Sequence, residues 1–251
     1  MIPEKYPVFG INYCSTDYEK ATDLIISKAK NNISFSVSAL AVHGLIEAYS
    51  NPDLKKVVNN IDMVVPDGQA IKWTLNSYYR LHLKDRVSGP DLTLYVLAKA
   101  HKYKLKLFLY GSTKNTLDQF SSFITTNYPE VEICGVHPDR FRDATQEEDK
   151  TDIEMINKSG AHIVFVGRGC PRQEYWVESH KGKVNAAMLA IGAAFDFHAG
   201  VLKRAPKWMQ DVGLEWLYRM IQEPGRMWKR NLNTFPLFIC LYLKYKFFKK
   251  D

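Results

Sequence analysis

Four short stretches combine residue types and spacings that can do chemistry. In "VGRGCPRQEYWV" (166–177) an apolar run ends in Gly167-Arg168-Gly169, and Arg172 and Gln173 follow in what reads as the first turn of a helix. Paired glycines allow close backbone approach, a helix start offers free N–H groups to an anion, and Arg172 can pair with phosphate. Gln173 can hydrogen-bond a sugar or a base. A dinucleotide fingerprint needs a third glycine where Arg172 stands, and no P-loop lysine pattern occurs. A nucleotide diphosphate therefore suits this turn better than a nicotinamide cofactor, the plain alternative being a tight turn with a solvated arginine.

The other three stretches are ambiguous one by one. In "VVPDGQ" (64–69) Asp67 stands at a strand end, where partial desolvation would raise its pKa and suit it to general-base work. It could equally cap the helix that follows. In "RVSGPDL" (86–92) Arg86 could meet a phosphate or pair with Asp91, and Pro90 can open a helix at its first position. In "AIGAAFDFHAGVLKRAPKW" (190–208) Asp196 and His198 could form an acid–base pair, or His198 could be structural. Lys203 and Arg204 could close over a diphosphate or belong to a basic tail. No Asp-x-Asp motif, zinc-ligand spacing or G-x-S-x-G elbow occurs. The expectation is a site without cofactor or metal, in which arginines, lysines and helix N-termini neutralise a departing diphosphate.

The elements that must carry these residues alternate. Strand stretches are expected at 8–14, 33–40, 61–68 (stopped by Pro66-Asp67-Gly68), 105–111, 131–137, 162–169 and 186–195, with helices between them, the first capped by Ser15 or Thr16 and running to about Lys30. Short apolar strands alternating with helices imply a mainly parallel sheet covered on both faces, with ligands beyond the strands' carboxyl ends. The expected division is an α/β core over 1–196, in lobes of about 1–100 and 101–196, followed by a helical appendage over 197–251.

Charge separates the appendage from the core. The net +7 resides entirely after residue 200, where eleven Lys/Arg face four acids, while the first 200 residues balance. With its tryptophans and phenylalanines, this tail suits an anionic membrane surface. Its longest apolar run, 235–243, is far short of the roughly 20 residues of a membrane span. Four scattered cysteines and a start without a secretory pattern lead us to expect a protein facing the cytoplasm.

Taken in order, "VVPDGQAIKW", "RVSGPDL", "LFLYGS", "VGRGCPRQEYWV" and "GAAFDFHAGVLKRAPKWMQDVGLEWLYRMIQEPGRMWKR" resemble the WecG/TagA/CpsF glycosyltransferases over nearly the whole chain. The resemblance implies a Rossmann-like α/β core with a C-terminal membrane-docking appendage, peripheral to the cytoplasmic face of a bacterial inner membrane. It implies inverting transfer from a UDP-sugar to an undecaprenyl-diphosphate-linked sugar, without nucleic acid and compatible with a homo-oligomer. By position it makes Asp67 the base and Gln173 a pocket residue; Gly68, Gln69, Arg86, Gly111, Gly167, Gly169 and Arg172 are the further residues expected around the substrate. Lys203, Arg204, Arg219, Arg226 and Arg230 would face the lipid diphosphate or the membrane. Where many members carry Thr-x-Asn, this chain has Ala39-Leu40-Ala41, which leaves the donor sugar open; His43 could substitute in part. A dinucleotide-dependent UDP-sugar oxidoreductase or epimerase and a non-catalytic membrane-binding module are the rival readings.

Overall fold

The computed structural model describes residues 2–248, without the side chains of Arg226 and Phe248. Its centre is a six-stranded, wholly parallel sheet in the order β4-β3-β8-β7-β5-β6. The strands are β3 (Phe35–Leu40), β4 (Met63–Pro66), β5 (Lys106–Gly111), β6 (Glu132–His137), β7 (Ile163–Gly167) and β8 (Ala187–Ala190). Successive side chains of a strand point to opposite faces, and here both faces are buried. Val164 and Val166 of β7 join one apolar cluster, and Ile163 and Phe165 the other.

Helices close the two faces. On one side pack α2 (Val42–Ser50), α3 (Pro52–Asn60), α4 (Gln69–Tyr79), α7 (Gln146–Lys158) and α8 (Arg172–Ser179). On the other pack α1 (Tyr18–Lys30), α5 (Gly89–Tyr103), α6 (Lys114–Asn127) and α9 (Ala194–His198). The chain leaves β3 toward α2 on the first face and β8 toward α9 on the second. These neighbouring strands therefore part at their carboxyl ends and open a crevice, the position where such sheets bind ligands. The sheet runs through the division expected near residue 100, because β3 pairs directly with β8.

Three local expectations are corrected. Residues 8–14 do not form one strand: β1 (Lys5–Val8) and β2 (Ile11–Cys14) make an antiparallel hairpin beside the main sheet. Its two-residue turn has Phe9 at φ +51° and Gly10 at φ +84°, positive values that match the twist of a tight hairpin. The cap of α1 is Asp17, whose carboxylate accepts the Lys20 N–H at 2.8 Å, rather than Ser15 or Thr16. Ser88 caps α5, so Pro90 stands second in that helix and not first.

After α9 the chain forms α10 (Lys207–Asp211), α11 (Glu215–Gln222) and α12 (Pro224–Phe248). The expected core–appendage boundary falls inside α9. Among the described residues no helix is long and apolar enough to cross a membrane. One face of α12 is part of the core, with Met227, Phe238 and Leu241 buried and Phe238 set edge-on against Phe9 at 5.7 Å. α11, by contrast, has no buried residue. If α12 is integral to the fold, Phe238→Ala should destabilise the whole protein by about 3 kcal/mol through lost burial and a residual cavity. Urea denaturation would measure this, and a change within error would show that α12 is only laid on the surface.

Candidate active site

A cavity of about 800 Å³ occupies the crevice, within the range of small-molecule sites. Its floor is built from the segments that follow β3, β4, β5, β7 and β8, and its roof from α11 and the first half of α12. Of the residues expected from sequence, Asp67, Gly68, Gln69, Arg86, Gly167, Gly169, Gln173 and His43 line it, with Arg219 and Arg230 from the roof.

Asp67 follows β4 directly. The helix behind it is capped by Gly68, in a conformation with φ +101° and no side-chain cap bond, so the capping alternative for Asp67 fails. Instead Asp67 Oδ2 accepts the Gly89 N–H at 3.3 Å, and the carboxyl group faces the cavity. Withdrawal from water pushes its pKa up to about 6; Glu215 adds to the rise, while Arg86, the Gly89 N–H and Arg204 oppose it. A carboxylate so placed is mostly ionised at neutral pH and retains more basicity than an exposed one.

The arginines around it differ from expectation. Arg86 does not pair with Asp91; its Nη2 bonds Glu215 Oε2 and reaches Gln210 Oε1 at 3.3 Å. Asp91 goes to Arg204 instead, at 2.8 and 3.2 Å. Arg204 and the exposed Lys203 are not among the residues lining the cavity. Arg219 lines it, bonded to Glu223 at 3.2 Å with its guanidinium 5.4 Å from the Phe197 ring centroid. Arg226 lies in α12, its side chain outside the described residues.

Around the β7 turn the structure reassigns a role. Arg172 does not line the cavity: it makes a bidentate pair with Asp139 at 2.9 and 3.0 Å. Arg168 lines it instead, held by the same Asp139 at 3.2 Å. Gly111 is not in the lining either; Gly167 O lies 2.7 Å from where its Cβ would be, so only glycine permits these two strand ends to touch. At Gly167 a Cβ would meet the Phe195 ring at 2.7 Å, so that glycine serves packing as well as access.

Gln173 sits at the centre, 4% exposed, donating from Nε2 to Glu174 Oε1 at 3.0 Å. Its own Oε1 has no protein partner. Glu174 is fully buried, also accepts from Ser38 Oγ at 3.0 Å, and burial raises its pKa. An unpartnered buried carbonyl bordering a cavity is an acceptor ready for a ligand's O–H or N–H. His43 has its pKa lowered to about 4 by burial and by Arg230, so it is neutral at physiological pH. Ala39, Leu40 and Ala41 give the β3 side an apolar wall. His198 is structural: its ring donates to Pro90 O at 2.9 Å and stacks on Phe120 and Phe123. Sequence reasoning missed Arg168, Glu174 and Glu215, as well as Phe141, exposed at the cavity's edge. Among the described residues no group of three or more His, Cys, Asp or Glu could hold a metal ion.

A covered parallel α/β sheet thus places a carboxylate and several arginines around one crevice at its strand ends. The family described as "Glycosyl transferase WecG/TagA/CpsF family" matches residues 6–251, and the chain belongs to it; it is a glycosyltransferase. It is 30% identical over 218 residues to an N-acetylglucosaminyldiphosphoundecaprenol N-acetyl-β-D-mannosaminyltransferase of Bacillus spizizenii, covering 86% of this chain and 81% of that protein. A protein of the same description from Bacillus subtilis is 28% identical over 236 residues, covering 93% and 85%.

The Asp67 environment has a stability signature. Because its folded pKa lies above that of the unfolded chain, its contribution is fully present below about pH 4 and is lost as pH rises through about 6. Asp67→Asn should therefore be more stable than wild type at pH 8, by roughly 1–3 kcal/mol, with the gain vanishing near pH 4. Urea titrations at the two pH values would show it, and equal stability at pH 8 would contradict the desolvated setting.

Proposed function

We propose that the protein transfers an N-acetylmannosamine-type sugar from a UDP-sugar to a polyprenyl-diphosphate-linked sugar, with inversion at the anomeric carbon. The observation that carries this reading is Asp67, its carboxylate withdrawn from water and facing a cavity roofed by the basic appendage. The two Bacillus relatives support the choice of sugars, since their names give the donor residue and a diphosphoundecaprenol-linked acceptor.

The step is a direct displacement. The acceptor hydroxyl oxygen bonds to the anomeric carbon as the bond to the UDP oxygen breaks; the hydroxyl proton goes to Asp67 and the bonding pair leaves with UDP. Asp67 raises the nucleophilicity of the acceptor, and Arg86, Arg168 and Arg219 supply positive charge to the departing diphosphate without a metal. The unpartnered Gln173 Oε1 would accept a donor hydroxyl or amide N–H. Asp67→Asn should lower kcat by about 10²–10⁴-fold, measured as UDP release from UDP-N-acetylmannosamine with a short-chain lipid-diphosphate acceptor. In wild type kcat/KM should rise through about pH 6 as Asp67 ionises. Undiminished turnover in the variant would remove Asp67 from the base role.

A lipid-linked acceptor calls for a membrane face, and α12 offers one. Opposite its buried side, Trp228, Leu232, Ile239, Leu243 and Phe247 form an exposed stripe flanked by Lys229, Lys244 and Lys246. Such a helix lies in the headgroup layer, so the enzyme would work peripherally at the membrane surface that holds its acceptor. Removing the appendage would expose the core, so the informative variant is Trp228→Glu/Leu232→Glu. It should bind vesicles containing anionic lipid at least about tenfold more weakly while its melting temperature stays near that of wild type. Unchanged vesicle sedimentation would refute the docking face.

A further inference from the structure

Arg86 is the one buried arginine or lysine among the described residues, 8% exposed, and it faces the cavity beside Asp67. Its carboxylate partner comes from the roof. Arg86 Nη2 holds Glu215 Oε2, and Arg204 Nε lies 3.3 Å from Glu215 Oε1. One carboxylate thus bridges two guanidinium groups with separate oxygens, the arrangement in which those groups would hold two oxygens of a phosphate. Three carboxylates, Asp67, Asp91 and Glu215, share these two arginines. A further dianion cannot enter so crowded a set unless one of them withdraws.

The surroundings single out which one. Asp91 is fixed by Ser88 Oγ at 2.6 Å and Tyr18 Oη at 3.2 Å as well as by Arg204, and Asp67 sits on a strand end. Glu215 begins α11, which has no buried residue and follows Gly213 at φ +78°. The Glu215 carboxylate is held by Arg86 and Arg204, while α11 itself is seated by Trp216 against Phe235, ring centroids 4.7 Å apart, and by Gln222 on the Lys203 backbone at 2.9 Å. We propose that Glu215 is a built-in competitor: its carboxylate occupies a diphosphate subsite formed by Arg86 in the lining and by Arg204, which adjoins the lining through Glu215, and a diphosphate-bearing substrate enters by displacing it. This inference rests on the diphosphate part of the proposed function, and on neither sugar. Exchange of one anion for another creates no unpaired buried arginine at any stage, and after the product leaves Glu215 returns.

Calorimetric titration of full-length protein with inorganic pyrophosphate tests it, comparing wild type with Glu215→Gln, which keeps the size and a hydrogen-bond acceptor but removes the charge. Relief from competition should make pyrophosphate bind about tenfold more tightly to the variant, and Glu215→Ala should shift the same way. Uridine, which lacks phosphate, should bind the variants and wild type equally. Unchanged or weaker pyrophosphate binding in both variants, or no binding by any form, overturns the proposal, since a carboxylate that merely fastened the roof would loosen the site when removed. Tightening without UDP release from any UDP-sugar would leave the competitor standing and remove the donor assignment. Normal UDP release without tightening would do the reverse.

Discussion

Withdrawal of one carboxylate from water organises much of this molecule. A parallel sheet with both faces covered leaves only its strand ends for polar work, and there the end of β4 presents Asp67 to a crevice. An isolated ionised group in such a place is costly, so charge must collect around it. Arg86 and Arg204 approach, and they in turn require Asp91 and Glu215. The resulting network reaches from β4 through the start of α5 to α11, so that roof and floor are fastened together by the same charges that set the basicity of Asp67.

The architecture was legible because its signals are local. Apolar runs alternating with helical periods indicate a covered parallel sheet whatever the tertiary detail, and each of the six strands stands where its run predicts. The misread hairpin turns on Phe9, a residue whose positive φ has no sequence signature. Asp67 was legible as a strand-end carboxylate, but only the backbone of Gly68 removes the capping alternative.

Long-range pairings were not legible. Arg168 and Arg172 look interchangeable on either side of one glycine. A carboxylate from another loop, Asp139, anchors both and leaves only Arg168 in the lining. Glu215 lies 129 residues from the arginine it meets, inside a stretch whose overall charge is strongly basic. Composition described the tail as cationic; the single acid that matters to the cavity could be found only once the roof was in place.

The two-sidedness of α12 bears on how an acceptor would be found. Arg230, Asn231 and Thr234 line the cavity, while Trp228 and Leu232, within the same turns, point outward. A helix is about 10 Å across, so the crevice sits roughly one helix diameter from the surface that the outer stripe would touch. At that spacing a sugar on a diphosphate stem can reach the crevice while its hydrocarbon chain stays in the bilayer. On the proposed reading, the encounter with the acceptor would become a search in two dimensions, governed by the acceptor's density in the plane.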